Sequence, residues 1–534
     1  MSQGTFDVVV TTTMGQVGGS TVDGVHTFKG IPYAAPTGGQ NRFKPPQPTV
    51  PWSGIRDATA YGPTAPQRSH AEMGGAAPAD PASVARMAEF SALISGLAGR
   101  EPPQGEDCLV LNVWTAGLDT HRSRPVMVWI HGGAFESGSG SWPLYDGTPL
   151  AARGDAVFVT LNHRLGVMGF LYLDEIGGPT YAGSGNAGML DIVQALQWIR
   201  DNIRRFGGDP DKVLVFGGSG GASKTATLLG MPAARGLFHR GALLSGPLVR
   251  VRTRQAAAAL TRQLFERLEL APDQIQQLHH MPYSRLIEEA SRLAMPINAG
   301  LAQAASPEAF MPLQPVVDGV NLPAQPLDPA SPHGTGVATM IGSTQDDMKM
   351  MMLGMPWFGT LTEEQLRTMA RASFGDSGDA AIAAYRRAYP AASATEMACQ
   401  FVTDRVMWIG SIDWAERKVA GGGAPVYLYR FDYATPIMGG ILGATHGGDI
   451  PFALNNFKCT PLAGERPENA RMGALMSESF VRFADTGNPN HGGLPDWRPY
   501  TPGDRCTLIF DSPCRVESDP RSELRALYAT HSSR

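Results

Sequence analysis

The chain has 534 residues, a length that fits one large elaborated domain or several small ones. Hydrophobic residues make up 43% and charged residues 17%, a composition that excludes global disorder and is typical of globular enzymes. The formal net charge is −5 and no run of basic residues occurs, so we expect no nucleic-acid partner.

No segment approaches the roughly 18 consecutive apolar residues of a membrane-spanning helix, and the first residues form no basic or apolar signal segment. We therefore expect no membrane span and a cytoplasmic location. The spacing of the five cysteines does not match a metal site, so we expect thiols, although Cys506 and Cys514 lie close enough in sequence to pair in an oxidising compartment.

No internal repeat or clear linker divides the chain, which favours one domain over residues 1–534. Residues 64–105 form the best candidate for an insertion, because they are rich in Ala, Pro and Gly and contain no Trp or Tyr. Outside residues 82–97 this segment has little periodicity. We expect a loop that runs over the surface or the mouth of a pocket.

The central part of the chain alternates strands and helices. Short apolar runs predict buried strands at 125–130, 156–161 and 213–216, and helical spacing of apolar residues predicts helices at 191–206 and 222–229. This order predicts an α/β fold with a mostly parallel sheet covered by helices. Ligands of such sheets bind at the carboxyl ends of the strands, which directs attention to the glycine turn after residue 216.

That turn, residues 217–221, fits the pattern G-x-S-x-G between a strand and a helix, and makes Ser219 a candidate nucleophile. A capping serine in an ordinary glycine turn is the simplest alternative. Residues 218–225 also come close to the phosphate-binding pattern G-x-x-x-x-G-K-[ST], but Ser223 stands where the second glycine belongs. A dinucleotide-binding turn fits less well, because its third glycine is also missing.

A serine nucleophile needs a base, an acid that orients the base, and donors for an oxyanion. The donors are suggested by the glycine loop that begins at His131, directly after a predicted strand. His446 lies in a loop of small residues that allows close approach. Asp346 and Asp347 follow an apolar run, and the residues alone do not choose between them. The order Ser, Asp, His is that of the α/β-hydrolase arrangement.

These features resemble the type-B carboxylesterases of the α/β-hydrolase fold, a family that includes cholinesterases and bacterial p-nitrobenzyl esterases. The resemblance spans nearly the whole chain. Besides the serine turn and the His131 loop, its segments are FKGIPYA at 28–34, RFKPP at 42–46, EDCLVLNV at 106–113, NHRLG at 162–166, GNAGMLD at 185–191 and FGGDP at 206–210.

The resemblance implies a set of roles for individual residues. Ser219 would be the nucleophile, His446 the base and Asp347 the acid, at a position where the family usually has Glu. The oxyanion donors would be the N–H groups of Gly133, Ala134 and Gly220. Ser245 would support the site or simply be a buried, hydrogen-bonded serine. Phe135 directly follows the expected oxyanion donors Gly133 and Ala134, on what we call the oxyanion loop (131–135), and is expected to line the pocket.

The sequence departs from the family pattern at several positions. The usual Glu before the nucleophile is Gly218, and the usual Tyr is His163, which we expect to be a core residue or a neighbour of the site. Ala65 stands near the usual half-cystine partner of Cys108, so that disulfide is not expected. The absence of Trp from 64–105 removes the expected site for a quaternary ammonium group.

We therefore expect a serine carboxylesterase that acts on a small apolar ester through an acyl-enzyme and needs no cofactor. Residues 348–358, rich in Met, are suited either to a bulky hydrophobic ester or to a core or lid helix. Carbamates, thioesters and activated amides are alternative substrates. A non-catalytic binding protein on the same fold is the alternative from another class.

Overall fold

The computed structural model describes residues 6–68, 80–153, 155–247, 250–294, 311–328 and 334–529. Its main feature is a sheet of 13 strands, which a separate pair, β10 and β11, accompanies. The strands are β1 (Val8–Thr11), β2 (Gln16–Val22), β3 (Val25–Pro32), β4 (Ile55–Asp57), β5 (Val110–Thr115), β6 (Arg124–Ile130), β7 (Val157–Leu161), β8 (Gly208–Gly218), β9 (Arg240–Leu244), β10 (Arg252–Thr253), β11 (Val316–Val317), β12 (Ala338–Thr344), β13 (Val426–Phe431), β14 (Cys506–Phe510) and β15 (Arg515–Ser518).

The large sheet is parallel in its centre and antiparallel at its margins. Its strand order is β1-β2-β3-β5-β7-β6-β8-β9-β12-β13-β14-β15, and β4 pairs with β2. Along this order every pair from β7 to β14 is parallel, whereas the pairs from β1 to β7 and the pair of β14 with β15 are antiparallel. The short strand β4 is parallel to β2. This arrangement confirms the predicted α/β-hydrolase fold, and it brings the carboxyl ends of the central strands to one edge.

The central strands are apolar throughout because both faces of the sheet are covered. On β6, Val126 and Val128 pack into one apolar cluster. Met127 and Trp129, which alternate with them, pack into a second cluster on the opposite face. A parallel strand that is buried on both sides therefore reads as a continuous hydrophobic run, as the sequence predicts for 125–130.

Helices supply the two covering layers. Ile192 and Leu196 lie in the first cluster, and Met476 and Phe480 lie in the second. The helices that the argument uses are α1 (Pro81–Ala98), α2 (Ala187–Asn202), α3 (Gly220–Leu229) and α4 (Asn469–Thr486). The other described α-helices are Thr148–Ala151, Gly166–Phe170, Asp174–Gly177, Arg254–Arg267, Tyr283–Ser291, Glu363–Phe374, Gly378–Ala388, Ala394–Thr403, Ile409–Ala420, Ile450–Ala453 and Ser522–Ala529.

The segment 64–105 contains one long helix, so the expectation of a loop is wrong for residues 81–98, while a position at the mouth of the pocket stays a prediction. Helix α1 occupies 18 of its residues, begins with a proline in its first turn, and is capped by Asp80, whose carboxylate accepts a hydrogen bond from Ser83 N over 2.8 Å. The ends of the insertion meet where Thr64 N donates to the carbonyl of Pro103 over 3.1 Å. The Gly- and Ala-rich part at 69–79 lies outside the described residues.

Two further expectations are tested by the fold. All five cysteines are free thiols, and Cys506 and Cys514 do not pair. Over the described ranges, no helix is both long enough and apolar enough to cross a membrane.

A buried ion pair joins the loop after β7 to α2. The side chains of Arg164 and Asp191 are almost fully buried, and Arg164 donates to both oxygens of Asp191 over 2.6 and 2.8 Å. Arg164 also donates to the carbonyl of Lys44 over 2.6 Å, which fixes a third segment. The geometry is bidentate, and this is the arrangement in which a buried ion pair is best compensated.

We predict that Asp191→Asn destabilises the fold. Removing one partner leaves a buried guanidinium uncompensated, at a cost of about 3–5 kcal/mol in the free energy of unfolding. Thermal melting followed by circular dichroism measures the effect. Asp413→Asn, which breaks an exposed pair with Arg417, is the matched control and changes stability by about 0.5 kcal/mol or less. Equal melting temperatures for the two variants would contradict the prediction.

Candidate active site

Ser219 occupies a tight turn between β8 and α3. Its backbone has φ 56° and ψ −122°, a conformation that non-glycine residues rarely adopt and that costs roughly 1–3 kcal/mol. The turn is held from behind, because Ser219 N donates to the carbonyl of Leu244 at the end of β9 over 2.8 Å. The result is a half-buried serine at the carboxyl edge of the sheet.

Small residues are needed around this turn because the backbone segments touch. A Cβ on Gly221 would lie 2.0 Å from the carbonyl oxygen of Ile130 in β6. This contact explains the last glycine of the G-x-S-x-G pattern, since any side chain there would push α3 away from the sheet.

The same turn excludes the phosphate-loop alternative. In that motif the lysine must reach the phosphates from the loop. Here Lys224 has no exposed surface, and its Nζ donates to the carbonyl of His131 over 3.1 Å, inside the protein. Lys224, which stands at the lysine position of the phosphate-binding pattern, therefore cannot reach a ligand bound at the turn.

The proposed oxyanion donors lie on two segments in direct contact. Gly133 and Ala134 have φ of 86° and 53°, and both retain accessible surface. Gly220 packs against this loop so closely that a Cβ on it would lie 2.4 Å from the backbone nitrogen of Ala134. The structure thus brings together the three residues that the sequence analysis selected, next to Ser219.

His446 and Asp347 are hydrogen-bonded to each other. Nδ1 of His446 lies 2.5 Å from Oδ1 of Asp347, and the carboxylate is fully buried. The other carboxylate oxygen accepts the hydroxyl of Ser245 over 2.6 Å and the backbone N–H of Thr344 over 2.9 Å. These bonds hold Asp347 in one orientation, and His446 donates to it from Nδ1, so that Nε2 is the ring nitrogen that can accept a proton.

Asp346 has a different task from its neighbour. Its side chain accepts the backbone N–H of Ala444 over 2.9 Å, and its own N–H donates to the Ala444 carbonyl over 2.9 Å. Gln400 also donates to it over 3.1 Å. Asp346 therefore anchors the loop that carries His446, while Asp347 contacts the imidazole.

The strand ends link these groups to Ser219. Leu244, which receives the N–H of Ser219, precedes Ser245, whose hydroxyl bonds to Asp347. Ile450, four residues after His446, lies against Gly218, because a Cβ on that glycine would lie 2.7 Å from Cδ1 of Ile450. Loops after β8, β9, β12 and β13 thus form one continuous site.

A family model for carboxylesterases matches residues 7–525. The chain belongs to the carboxylesterase family. It is 36% identical over 521 residues to the para-nitrobenzyl esterase of Bacillus subtilis (strain 168), with 97% of each chain covered. It is 34% identical over 506 residues to phenmedipham hydrolase of Pseudarthrobacter oxydans, covering 93% of this chain and 94% of that protein.

The solved structure of a Geobacillus stearothermophilus carboxylesterase matches with a TM-score of 0.80 at 35% identity, covering 97% of this chain and 99% of that chain. The resemblance to type-B carboxylesterases is therefore confirmed. The protein is a carboxylic ester hydrolase of the α/β-hydrolase fold, and the non-catalytic alternative is not retained. Within the described ranges, no three His, Cys, Asp or Glu residues are grouped so as to hold a metal ion.

The departures from the carboxylesterase pattern have structural explanations. The space beside Gly218 is filled by Ile450, so no carboxylate lies there. His163 is fully buried and stacks on His131, with ring centroids 4.9 Å apart and planes 8° apart. It is a core residue directly behind the oxyanion loop, so it meets both descriptions that the sequence left open.

Phe135 does not line the pocket, which corrects the expectation from sequence. Its ring has no exposed surface and packs edge to face on Phe170, with centroids 5.2 Å apart. The position beside the oxyanion loop was identified correctly, but the side chain points into the core.

Two buried ionisable residues that adjoin these groups were not assigned to the site by the sequence analysis, Lys224 and Asp449. Asp449 is fully buried three residues after His446 and accepts the hydroxyl of Tyr429 over 2.8 Å. Burial raises its pKa to about 6. Burial lowers the pKa of His446, but the charge and hydrogen bond of Asp347 and the charge of Asp449 outweigh that effect and raise it above the ordinary value.

We predict that Asp449→Asn lowers the pKa of His446, because it removes one of the negative charges that stabilise the imidazolium. The asparagine oxygen still accepts from Tyr429, so the packing is conserved. NMR titration of protein with 13C-labelled histidine measures the pKa directly. Asp413→Asn, on the surface, is the control and leaves it unchanged. An unaltered His446 pKa in Asp449→Asn would rule out this electrostatic role.

Proposed function

We propose that this carboxylesterase hydrolyses small apolar esters through Ser219, His446 and Asp347, with a covalent acyl-enzyme between two steps. The observation that carries the proposal is the 2.5 Å contact between His446 and the buried Asp347, on loops that meet the strained turn of Ser219. A buried carboxylate that orients an imidazole towards a serine is the arrangement of serine hydrolases.

In the first step, Nε2 of His446 takes the proton of the Ser219 hydroxyl while Oγ bonds to the ester carbonyl carbon. The carbonyl oxygen becomes an oxyanion, which accepts hydrogen bonds from the N–H groups of Gly133, Ala134 and Gly220. Collapse breaks the bond to the alcohol, which leaves with the proton from His446. Water then attacks the acyl-enzyme by the same route and releases the acid.

The preference for an apolar ester rests on the cluster that adjoins the acid and base loops. Met348, next to Asp347, and Leu442, four residues before His446, belong to an apolar cluster with Leu93 and Leu97 of α1. Other members are only partly buried: Met87, Phe90, Ile94, Met350, Met351, Trp357, Val406, Met407, Ile437, Met438 and Ile441. Flexible methionine side chains adapt to apolar groups of different shape.

Thioesters, carbamates and activated amides react by the same sequence of steps, so the set of reacting residues does not separate them from esters. The relative named as a para-nitrobenzyl esterase supports esters with an aromatic ring in the alcohol part, and p-nitrophenyl esters are convenient first test substrates of that general kind. We expect kcat/KM to rise from p-nitrophenyl acetate to the butyrate and octanoate esters, since a longer acyl chain buries more apolar surface.

We predict that Ser219→Ala lowers kcat for p-nitrophenyl butyrate by several orders of magnitude, about 10⁴-fold or more, because no other group replaces the nucleophile. The hydrolysis rate and the labelling of the protein by a fluorophosphonate are measured together. Ser223→Ala, on the same helix and only partly exposed, is the matched control and retains both activity and labelling. Substantial activity in purified Ser219→Ala would refute the proposed nucleophile.

We also predict that Asp347→Asn costs about 10³- to 10⁴-fold in kcat, because an amide favours the wrong tautomer of His446. Asp346→Asn should cost far less, since the amide oxygen still accepts the N–H of Ala444. Rates with the same ester, together with melting curves of both variants, test the pair. The assignment of the acid is wrong if the two losses are reversed.

A further inference from the structure

A lysine lies buried beneath the loop that carries two of the proposed oxyanion donors. Lys224, in α3, has no exposed surface. Its Nζ donates to the carbonyl of His131 over 3.1 Å and lies 5.9 Å from the centroid of the Phe135 ring. The amine thus contacts both ends of loop 131–135, and the amides of Gly133 and Ala134 lie between those ends.

In the part of the chain that the structure describes, Lys224 makes no ion pair, and burial alone lowers its pKa to about 7. Two imidazoles lie close enough to be affected by its charge, that of His131 on the loop and that of His163 after β7. Burial, followed by the charge of Lys224, lowers the pKa of both rings, so they are neutral. An unpaired buried ammonium is costly, and its position needs a reason.

The two carbonyls before Gly133 are both held by side chains. Lys224 donates to the His131 carbonyl, and Nδ1 of His131 donates to the Gly132 carbonyl over 2.9 Å. The Gly132 carbonyl shares its peptide plane with the N–H of Gly133. The bond from His131 therefore holds and polarises the peptide that carries the Gly133 N–H. The bond from Lys224 holds the preceding peptide, between His131 and Gly132, so Lys224 acts on Gly133 through the backbone of the loop.

We propose that Lys224 is a positioning residue of the oxyanion hole, whose ammonium fixes loop 131–135 and adds positive charge behind the amides that bind the oxyanion. This inference rests on the proposed function. The negative partner that Lys224 lacks in the resting protein forms during the reaction, as the tetrahedral oxyanion. Because that charge is absent from the bound ester, the lysine acts on kcat and hardly on KM.

The test replaces Lys224 by Met, which keeps the length and apolar stem of the side chain without its charge. Loss of a direct oxyanion donor costs about 100- to 1000-fold in kcat, and since Lys224 acts through the loop we expect about a tenfold loss at pH 6.5, with KM changed less than about twofold. Affinity for a trifluoromethyl ketone, which forms a tetrahedral adduct with a reactive serine, should fall by a similar factor. Unchanged kcat and ketone affinity would overturn the proposal.

Two further variants separate charge from packing. Lys224→Gln keeps a donor for the His131 carbonyl but carries no charge, so it should recover at most the part of the loss that comes from this hydrogen bond and remain slower than the wild type. Wild-type kcat in this variant would also overturn the proposal. Lys418→Met is the matched control, because Lys418 is a second buried lysine whose Nζ donates to the carbonyls of Gly334 and Thr335 over 2.7 and 3.1 Å. It should leave kcat and ketone affinity unchanged.

The pH dependence gives a readout that a purely structural role would not change. The ammonium is present below its pKa of about 7 and is lost above it, while the neutral amine can still donate to the His131 carbonyl. The wild-type advantage over Lys224→Met should therefore be largest near pH 6.5 and smaller at pH 9. Burial raises the pKa of Glu136 to about 7 as well, and Glu136→Gln in both backgrounds removes that source of titration. A wild-type advantage that does not depend on pH would contradict the role of the charge.

The outcomes for this inference and for the proposed function are distinguishable. If Ser219→Ala remains active and fluorophosphonate does not label the wild type, the proposed function fails. If Ser219→Ala is inactive and the wild type is labelled, but Lys224→Met equals the wild type in kcat, only the inference about Lys224 fails.

Discussion

Ser219 is held at φ 56° and ψ −122°, and the segments around it leave its backbone no room to relax. The carbonyl of Ile130 meets α3 at Gly221, and a Cβ on Gly246 would lie 2.2 Å from the carbonyl oxygen of Ser219. The roughly 1–3 kcal/mol stored in such a conformation is offset by the sheet that the turn joins. The strands β6, β8 and β9 therefore set the position of the serine hydroxyl. The loops after β12 and β13, which carry Asp347 and His446, are arranged around this fixed point.

The sequence predicts the parts of the molecule that follow local rules. Buried parallel strands are continuous apolar runs, so β6, β7 and β8 are found within a few residues, and the spacing around Ser219 shows the strand-to-helix turn. Helix α1 coincides within one residue at each end with the periodic stretch 82–97, and Asp80 caps it as a helix-start residue does. A loop was nonetheless the prediction for 64–105 as a whole, because Ala, Pro and Gly dominate the residues around the helix. The side chains of Asp346 and Asp347 point to different partners, Ala444 and His446. These partners lie on a loop about 100 residues away in sequence, so the sequence around the two acids does not distinguish them.

The remaining differences between the predicted and the observed site come from side-chain directions and from charges that are distant in sequence. Phe135 directly follows Gly133 and Ala134 in sequence, but its ring packs on Phe170 in the core. No local sequence pattern indicates this side-chain direction. In the sequence, Asp449 is one polar residue of a glycine-rich loop, and nothing indicates that it is buried. In the structure, the hydroxyl of Tyr429 on β13 donates to its carboxylate in the core. Its effect on His446 then follows from burial, since charges interact more strongly where water is excluded.

Two residues near the turn of Ser219, Gly218 and Lys224, change the local charge in the same direction. At position 218, where the family pattern has Glu, this chain has glycine, and Ile450 fills the space, so one negative charge is absent beside the nucleophile. One turn into α3, Lys224 adds a buried amine with no carboxylate partner in the described part of the chain. Both changes make the potential behind the oxyanion loop more positive. Burial is the main cause of the lowered pKa of His131 and His163, and the charge of Lys224 acts in the same direction. His446 differs from these two imidazoles, because the carboxylates of Asp347 and Asp449 outweigh burial and raise its pKa. In the proposed mechanism the two carboxylates thus act on the imidazole of His446, whereas the amine of Lys224 acts on the loop that carries Gly133 and Ala134.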